Sequence, residues 1–221
     1  MKKKLLILFL LVNANAIAQR TNRHTPVIKK GLYLSFNPHA LFEAEQGAAS
    51  LGLGYRINKR IEIWAEASYL YKGFFQDPEK FRDLKGIRVI VSGKYFYQNK
   101  YGFFAGAEFR IKQYSFIDKN QFVNDLLNDT LVNYQYTAQH TLIGGAIFWG
   151  KRFKITANGK FELEGNIGVG VKQRYIARKN VPAGYYKREY YFRDRISPIP
   201  DRDIDQVLPY FPATVRFIYH L

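Results

Sequence analysis

The chain has 221 residues, and its 34 Lys and Arg against 18 Asp and Glu give a net charge of +16, which leaves nucleic acid, anionic lipid and acidic glycan as candidate partners. It contains no cysteine, which excludes disulfides, thiolate metal sites, a cysteine nucleophile and an N-terminal lipid-modified cysteine. Because 47% of the residues are hydrophobic and 17% are aromatic, the chain is not disordered, and its length fits a single domain.

The N-terminus combines a basic start, an apolar run and a small-residue pattern. Residues 2–4 are lysines, residues 5–12 form the run LLILFLLV, and residues 16–18 are Ala-Ile-Ala. Eight apolar residues are too few for a transmembrane helix, which needs about 20. We therefore predict a cleaved signal peptide over 1–18 and a periplasmic segment over 19–30, with a buried strand or a membrane anchor as the alternatives. Export argues against a nucleic-acid partner.

Period-two alternation runs through most of the remaining chain. In the clearest case, Ile61 and Ile63 alternate with Glu62 and Trp64. Such alternation is typical of strands whose two faces meet different surroundings. Eight segments have this pattern or a weaker form of it: 31–37, 48–57, 61–73, 87–97, 101–112, 138–157, 161–174 and 215–221.

Short and long connections alternate between these segments. Asn58-Lys59, Asn99-Lys100 and Asn158-Gly159 are short connections that begin with Asn, which tolerates the positive φ of a tight hairpin. In an up-and-down barrel, this alternation places every tight turn at one rim and every long loop at the other, as in bacterial outer-membrane barrels. We predict an all-β fold, an eight-stranded antiparallel up-and-down transmembrane β-barrel over 31–221. Its long extracellular loops are 38–47, 74–85, 117–137 and 178–211.

The two faces of the predicted strands differ in chemistry. Tyr95, Phe103 and Phe161 mark the tight-turn end of the apolar face and Tyr69 its loop end, like the aromatic girdles of membrane barrels. Since eight strands enclose a space that side chains fill, we expect the charges of the other face to pair and plug the lumen, with little conductance. A water-soluble barrel with its charged face outside is the alternative. The predicted lumen charge network comprises Arg56, Glu62, Glu66, Arg88, Lys94, Glu108, Arg110, Lys112, Glu162, Glu164, Lys172, Arg174 and Arg216.

Taken together, these features resemble the small outer-membrane barrels of the OmpX and OmpA-barrel type. The alternating C-terminal residues Val215, Phe217, Tyr219 and Leu221 are similar to the signal that the barrel-assembly machinery recognises, although Leu221 stands where Phe is usual. The basic, Tyr-rich chain is also similar to uncharacterised Bacteroidota envelope barrels. The resemblance implies a location in the cell outer membrane. It also implies outer-membrane lipid, lipopolysaccharide and the barrel-assembly machinery as partners, and it covers architecture without any function-specific motif.

One basic residue departs from the barrel pattern. The alternation of Ile147, Trp149 and Phe153 places Lys151 on the lipid-facing side. We expect either a bulge at Gly144-Gly145 or a lysine that extends its ammonium group toward the rim.

The sequence contains few residues in patterns typical of catalysis, metal binding or phosphate binding. His24, His39, His140 and His220 form no metal-binding pair, and there is no phosphate-binding loop or Gly-x-Ser-x-Gly elbow. We therefore predict no metal, no cofactor and no catalytic residue. A lipid A or phospholipid modifying barrel enzyme remains an alternative, with Ser115, His140 or His39, and a loop Asp meeting at the loop rim.

The longest predicted loop interleaves basic and aromatic residues. Such residues suit pairing with lipopolysaccharide phosphates or anchoring of a protein partner, and a strand extension above the membrane is the alternative. In loop 117–137, Phe122, Val123, Leu126 and Leu127 suggest a short amphipathic helix. The candidate interaction residues of the longest loop are Tyr185, Tyr186, Lys187, Arg188, Tyr190, Tyr191, Phe192, Arg193 and Arg195.

The predicted function is that of a non-enzymatic outer-membrane barrel with a structural or interaction role. It acts through its extracellular loops or as a small subunit of a larger outer-membrane protein complex. The alternatives are the modifying enzyme and a narrow pore.

Overall fold

The computed structural model describes residues 31–38, 40, 47–72, 82–97, 102–124, 130–156, 158–180, 185–190, 196–199 and 206–221. The predicted signal peptide, the segment 19–30, His24 and His39 lie outside these residues. In the described part of the chain, no helix is long and apolar enough to cross a bilayer.

Strands make up nearly all of the described structure. They are β1 (Gly31–Phe36), β2 (Gly47–Arg56), β3 (Ile61–Tyr71), β4 (Arg82–Phe96), β5 (Phe103–Asn124), β6 (Thr130–Lys154), β7 (Phe161–Lys179), β8 (Tyr185–Tyr190), β9 (Ile196–Ile199), β10 (Gln206–Tyr210) and β11 (Ala213–His220).

Eight of these strands close into a ring. Strands β1 to β7 pair antiparallel in chain order, and β11 joins β7 on one side and β1 on the other. Tyr33–Phe36 of β1 pair with Phe217–His220 of β11 through four residue pairs. The prediction of an all-β, up-and-down eight-stranded antiparallel barrel is therefore confirmed.

Strands β10 and β11 form one continuous wall element. Tyr210 pairs with Gly170 and Ala213 pairs with Ile167, so β7 keeps a single register across the gap between them. The N–H of Gly168 donates to the carbonyl of Pro212 at 2.8 Å, which maintains the ladder inside that gap. Because proline has no N–H to donate, the eighth strand is interrupted there without a change of register.

The strands are strongly staggered around the ring. Starting at Phe36 and following the residue pairs from β2 to β7 leads to Val207, whereas β1 pairs Phe36 directly with Phe217. The stagger is thus ten residues, from Val207 to Phe217. For eight strands, this shear corresponds to a strand tilt of roughly 40° and to an interior that side chains fill.

Asparagine side chains stabilise two of the tight turns. The Asn58 Oδ1 accepts hydrogen bonds from the N–H groups of Arg60 at 2.8 Å and Ile61 at 2.9 Å, and the Asn158 Oδ1 accepts one from Lys160 at 3.0 Å. Gly159 has a φ of +69°, which a glycine adopts without strain. The turn between β2 and β3 spans 57–60, so it is longer than the predicted two-residue connection.

The predicted loop 117–137 is mostly a β-ladder. The predicted amphipathic helix is wrong at Phe122 and Val123, which lie in strand β5, and Leu126 and Leu127 lie outside the described residues. Residues 118–124 of β5 pair with residues 130–136 of β6, beyond the point where β4 and β7 end. In the antiparallel hairpin, alternate residues of each strand exchange backbone hydrogen bonds with the other strand. A one-turn helix on a loop would leave most of its backbone N–H and C=O groups without such partners. Strand β8 then pairs with the far end of β5, and β9 pairs with β8, inside the predicted loop 178–211.

We call this four-stranded sheet, in the order β6-β5-β8-β9, the strand extension. At about 3.3 Å per residue, its seven β5 residues beyond the ring add roughly 23 Å of strand.

Gly54 offers a direct test of packing inside the ring. A Cβ at Gly54 would lie 1.9 Å from the Cζ of the fully buried Tyr33, whereas a Cβ at Gly93 would meet nothing within 4 Å. We expect Gly54→Ala to lower the free energy of unfolding by about 1–3 kcal/mol, because the ring of Tyr33 must move. Gly93→Ala should change it by less than about 0.5 kcal/mol. Urea unfolding in mild detergent, followed by tryptophan fluorescence, measures both, and equal stability of the two variants would refute this packing.

Candidate functional site

The outer face of the ring is apolar over most of its height. Large side chains remain exposed there, including Leu51 at 64%, Ile147 at 60% and Val171 at 60%. On the same face, the polar residues Gln113 and Thr141 border this apolar band toward the long connections. A continuous apolar band of this size exceeds the patches found on soluble monomers.

Aromatic side chains lie near the tight-turn end of the band. Tyr95 and Tyr97 are both exposed there, with ring centroids 5.8 Å apart, and Phe161 lies 4.8 Å from Tyr219. Tyr69 is exposed near the other end of its strand. The outer face therefore combines an apolar band with aromatic borders.

Lys151 lies on this outer face, and the predicted bulge is wrong. The register of β6 with both neighbours continues unbroken through Gly144 and Gly145. The Lys151 ammonium sits 4.8 Å from the Phe103 ring centroid and 4.9 Å from that of Phe153. These cation–π contacts hold the lysine at the tight-turn end of the band.

Two fully buried carboxylates, Glu62 and Glu164, organise the interior. The guanidinium of Arg152 donates to both Glu62 oxygens, at 2.7 and 2.8 Å, and its Nε donates to Glu164 at 3.1 Å. The Lys94 ammonium bridges the same two carboxylates, at 3.2 Å from Glu62 and 2.9 Å from Glu164. Tyr33 also donates its hydroxyl proton to Glu62.

Two further arginines complete this central cluster. Arg56 contacts Glu62 at 2.9 Å, and Arg216 contacts Glu164 at 3.1 Å. Arg216 also stacks over Trp64, 4.0 Å from the ring centroid. Each buried carboxylate thus meets several cations and hydrogen-bond donors, which is the condition under which a buried ion is tolerated. The central cluster consists of Tyr33, Arg56, Glu62, Lys94, Arg152, Glu164 and Arg216.

Smaller ion pairs lie above and below the central cluster. Glu66 is 3.4 Å from Arg88, and Glu108 is 2.7 Å from Arg110. Toward the tight turns, Glu162 lies 2.9 Å from the Nε2 of His220.

Aromatic rings fill the lumen beside these charges. Phe96, Phe104 and Phe148 are buried, with centroids 5.3 and 6.2 Å apart along the series, and Arg56 stacks on Phe96 at 4.3 Å. At the level of the central cluster, the interior is therefore occupied by packed side chains.

The structure places the thirteen predicted lumen residues on the inner face. Ten belong to the ion pairs described above. Lys112 and Lys172 are half-buried farther toward the long connections, with their ammonium groups 5.4 and 5.7 Å from the rings of Tyr114 and Tyr210. Arg174 lies at the same end, where β7 pairs it with Leu142 and Gln206.

Arg152, the cation with the most carboxylate contacts in the central cluster, is absent from the predicted network. The sequence does indicate it, because Lys151 on the outer face requires Arg152 on the inner one. Tyr33 is absent from the prediction as well, although its alternation with Leu32 and Leu34 places it inside.

Ser115 and His140, two residues of the enzyme alternative, lie on opposite faces of the wall, while His39 lies outside the described residues. His140 faces the interior, where its Nδ1 lies 2.9 Å from the Tyr114 hydroxyl. Ser115 follows Tyr114 directly in β5 and therefore points to the opposite face. Among the described residues, no group of three His, Asp or Glu side chains is arranged to hold a metal ion.

The candidate loop residues divide between strand and undescribed chain. Tyr185, Tyr186, Lys187, Arg188 and Tyr190 lie in β8, within the strand extension. Tyr191, Phe192, Arg193 and Arg195 lie outside the described residues.

Comparisons with protein-family models, curated proteins and solved structures found no match to this chain.

Arg152 is the residue whose loss should disturb the interior most. Arg152→Met leaves Glu62 and Glu164 with fewer cations in a buried site, so we expect a loss of about 3–5 kcal/mol in unfolding free energy. Arg152→Lys should lose less, because it keeps the charge but not the two-pronged contact.

The matched control is Arg60→Met in the exposed turn, which should change the unfolding free energy by no more than about 0.5 kcal/mol. Urea titration in detergent compares the three variants. If Arg152→Met unfolds at the same urea concentration as Arg60→Met, the central cluster does not hold the barrel together.

Proposed function

We propose that the chain is a non-enzymatic, non-conducting barrel of the cell outer membrane that presents the strand extension to a protein partner. The observation that carries this proposal is the inverted polarity of the ring. Apolar side chains face outward over most of its height, while ion-paired side chains and aromatic rings fill the lumen at the level of the central cluster. Lipid is the solvent that suits such an outer face, and closed barrels satisfy all their backbone groups within it.

The packed side chains at the level of the central cluster argue against the pore alternative. Charged groups at the level of Glu62 and Glu164 are engaged with one another, so an ion entering there would have to displace buried pairs. The enzyme alternative has no support from Ser115 and His140, which occupy opposite faces of the wall.

The strand extension supports the interaction role. Within the described residues, residues 130–136 of β6 pair on one side with β5, and β9 pairs on one side with β8. Sheet edges of this kind accept an added strand through their backbone groups. The extension also includes Tyr185, Tyr186 and Arg188, which are residue types enriched at protein interfaces. We favour a larger outer-membrane complex as the partner, with lipopolysaccharide next to the basic residues of the longest predicted loop, 178–211.

Membrane insertion is tested by placing a charge in the middle of the apolar band. Val91 is 53% exposed on the outer face. In lipid, Val91→Arg should cost about 2–4 kcal/mol, while Tyr97→Arg at the border should cost no more than about 1 kcal/mol. Urea unfolding in lipid vesicles measures the difference. A Val91→Arg variant as stable as the parent, together with parent protein found soluble in the periplasm, would contradict the membrane location.

The interaction role is tested by shortening the strand extension. Replacing residues 118–136 by Asn-Gly should leave the ring closed, because Ile117 and Thr137 are already paired across the hairpin. We expect the parent to recover a stoichiometric partner from mild-detergent extracts and the shortened variant to lose it. Lys59→Gly, at the opposite rim, is the control and should keep the partner. Recovery of the same partner by the shortened variant would refute a role for the extension.

A further inference from the structure

A cavity of about 260 Å³ lies inside the ring, between the central cluster and the long connections. Its wall includes Arg88, Arg110, Lys112 and Lys172 from three different strands, and Leu142, Tyr210 and Pro212 supply apolar surface. A volume of this size has room for several waters or for a small organic molecule.

The charge of this cavity is one-sided. Its described lining contains four cationic side chains and no carboxylate. The nearest acids of the described interior, Glu66 and Glu108, are already engaged by Arg88 and by Arg110. Glu66 and Glu108 offset part of the cationic charge, and the positive charge that remains inside walls of low dielectric constant attracts an anion.

The wall is also ordered before any ligand arrives. Glu108 holds the Arg110 guanidinium through its Nε at 3.2 Å and its Nη2 at 2.7 Å, and Arg110 stacks 4.2 Å from the Tyr210 ring centroid. Tyr210 in turn donates its hydroxyl proton to Glu108 at 3.3 Å. Arg88 is 3% exposed and is held by Glu66 and the Ser68 hydroxyl. Groups fixed in this way lose little conformational entropy on binding.

We propose that this cavity binds the phosphate group of a small phosphate ester. Arginine and lysine together are the side chains that bind phosphate oxygens, arginine through paired N–H groups and lysine as a compact charge. Besides the ion-paired Arg88 and Arg110, Lys172 of the cavity wall supplies an ammonium group to bind the phosphate. The apolar surface of Leu142 and Pro212 accommodates the organic part of the ester. The proposal does not depend on a role for the strand extension.

The test uses glycerol phosphate and the full mature chain in neutral detergent at low ionic strength, with isothermal titration calorimetry as the readout. Lys172→Gln should weaken binding at least tenfold because it removes a cation from the wall. Leu142→Phe should weaken it comparably because it fills the cavity without changing any charge. Lys59→Gln in an exposed turn is the matched control and should bind as the parent does. Each variant counts as folded if its unboiled and boiled samples migrate differently in gels, as those of the parent do.

A second arm distinguishes a soluble ester from a lipid headgroup. The chain is placed in nanodiscs of phosphatidylcholine with or without phosphatidylglycerol, and the ³¹P resonance of the bound lipid is followed. A shifted phosphatidylglycerol resonance that Leu142→Phe abolishes assigns the cavity to a lipid headgroup, whereas binding of glycerol phosphate in detergent without any such shift in nanodiscs assigns it to a soluble ester. The proposal is overturned if neither probe binds, or if Lys59→Gln weakens binding as much as Lys172→Gln.

Discussion

The burial of Glu62 and Glu164 among Arg152, Lys94 and Arg216 is the constraint on which the rest of the molecule depends. These side chains come from strands β3, β4, β6, β7 and β11, so the cluster joins strands that are remote in the sequence. A slip of two residues in any of these strands would keep every side chain on its own face but would separate these charges from their partners. Electrostatics thereby fixes the register that the hydrophobic pattern alone leaves open.

The period-two pattern places alternate side chains on the two faces of the wall. The polarity of each face decides which surroundings that face favours. A barrel in water hides its apolar residues inside, whereas here Leu51, Ile147 and Val171 face outward and carboxylates are buried. Burying many ions stabilises a fold only when partners are complete. The ion-paired central cluster and the apolar exterior are therefore linked, because one period-two pattern places the charged side chains inside and the apolar side chains outside.

Much of the ring could be predicted from the sequence, because strands such as β3 alternate without exception and the Asn-led turns mark their ends. The strand extension could not, since Phe122, Val123, Leu126 and Leu127 have the apolar spacing of a short helix in the sequence, and cross-strand pairing of residues 118–124 with residues 130–136 decides the outcome. Arg152 was missed for a related reason. Strand β6 carries a lysine on its apolar face, and that irregularity obscured the alternation that buries its neighbour. The cavity depends on three-dimensional proximity among β4, β5 and β7, which no local pattern encodes.

The junction between β1 and β11 has a consequence for how the barrel forms and opens. Its four residue pairs make it the shortest described ladder of the ring, and it joins segments separated by nearly the whole described chain. Closing so long a loop is entropically slow, so this junction should zip last during assembly. Arg216, on β11, already faces Glu164 across the β7–β11 ladder, and it reaches Glu66 of β3 when the junction closes. The charge cluster then stabilises the closed junction. Amide hydrogens of β1 and β11 should exchange with solvent sooner than those of β4 and β5, which lie opposite this junction in the ring.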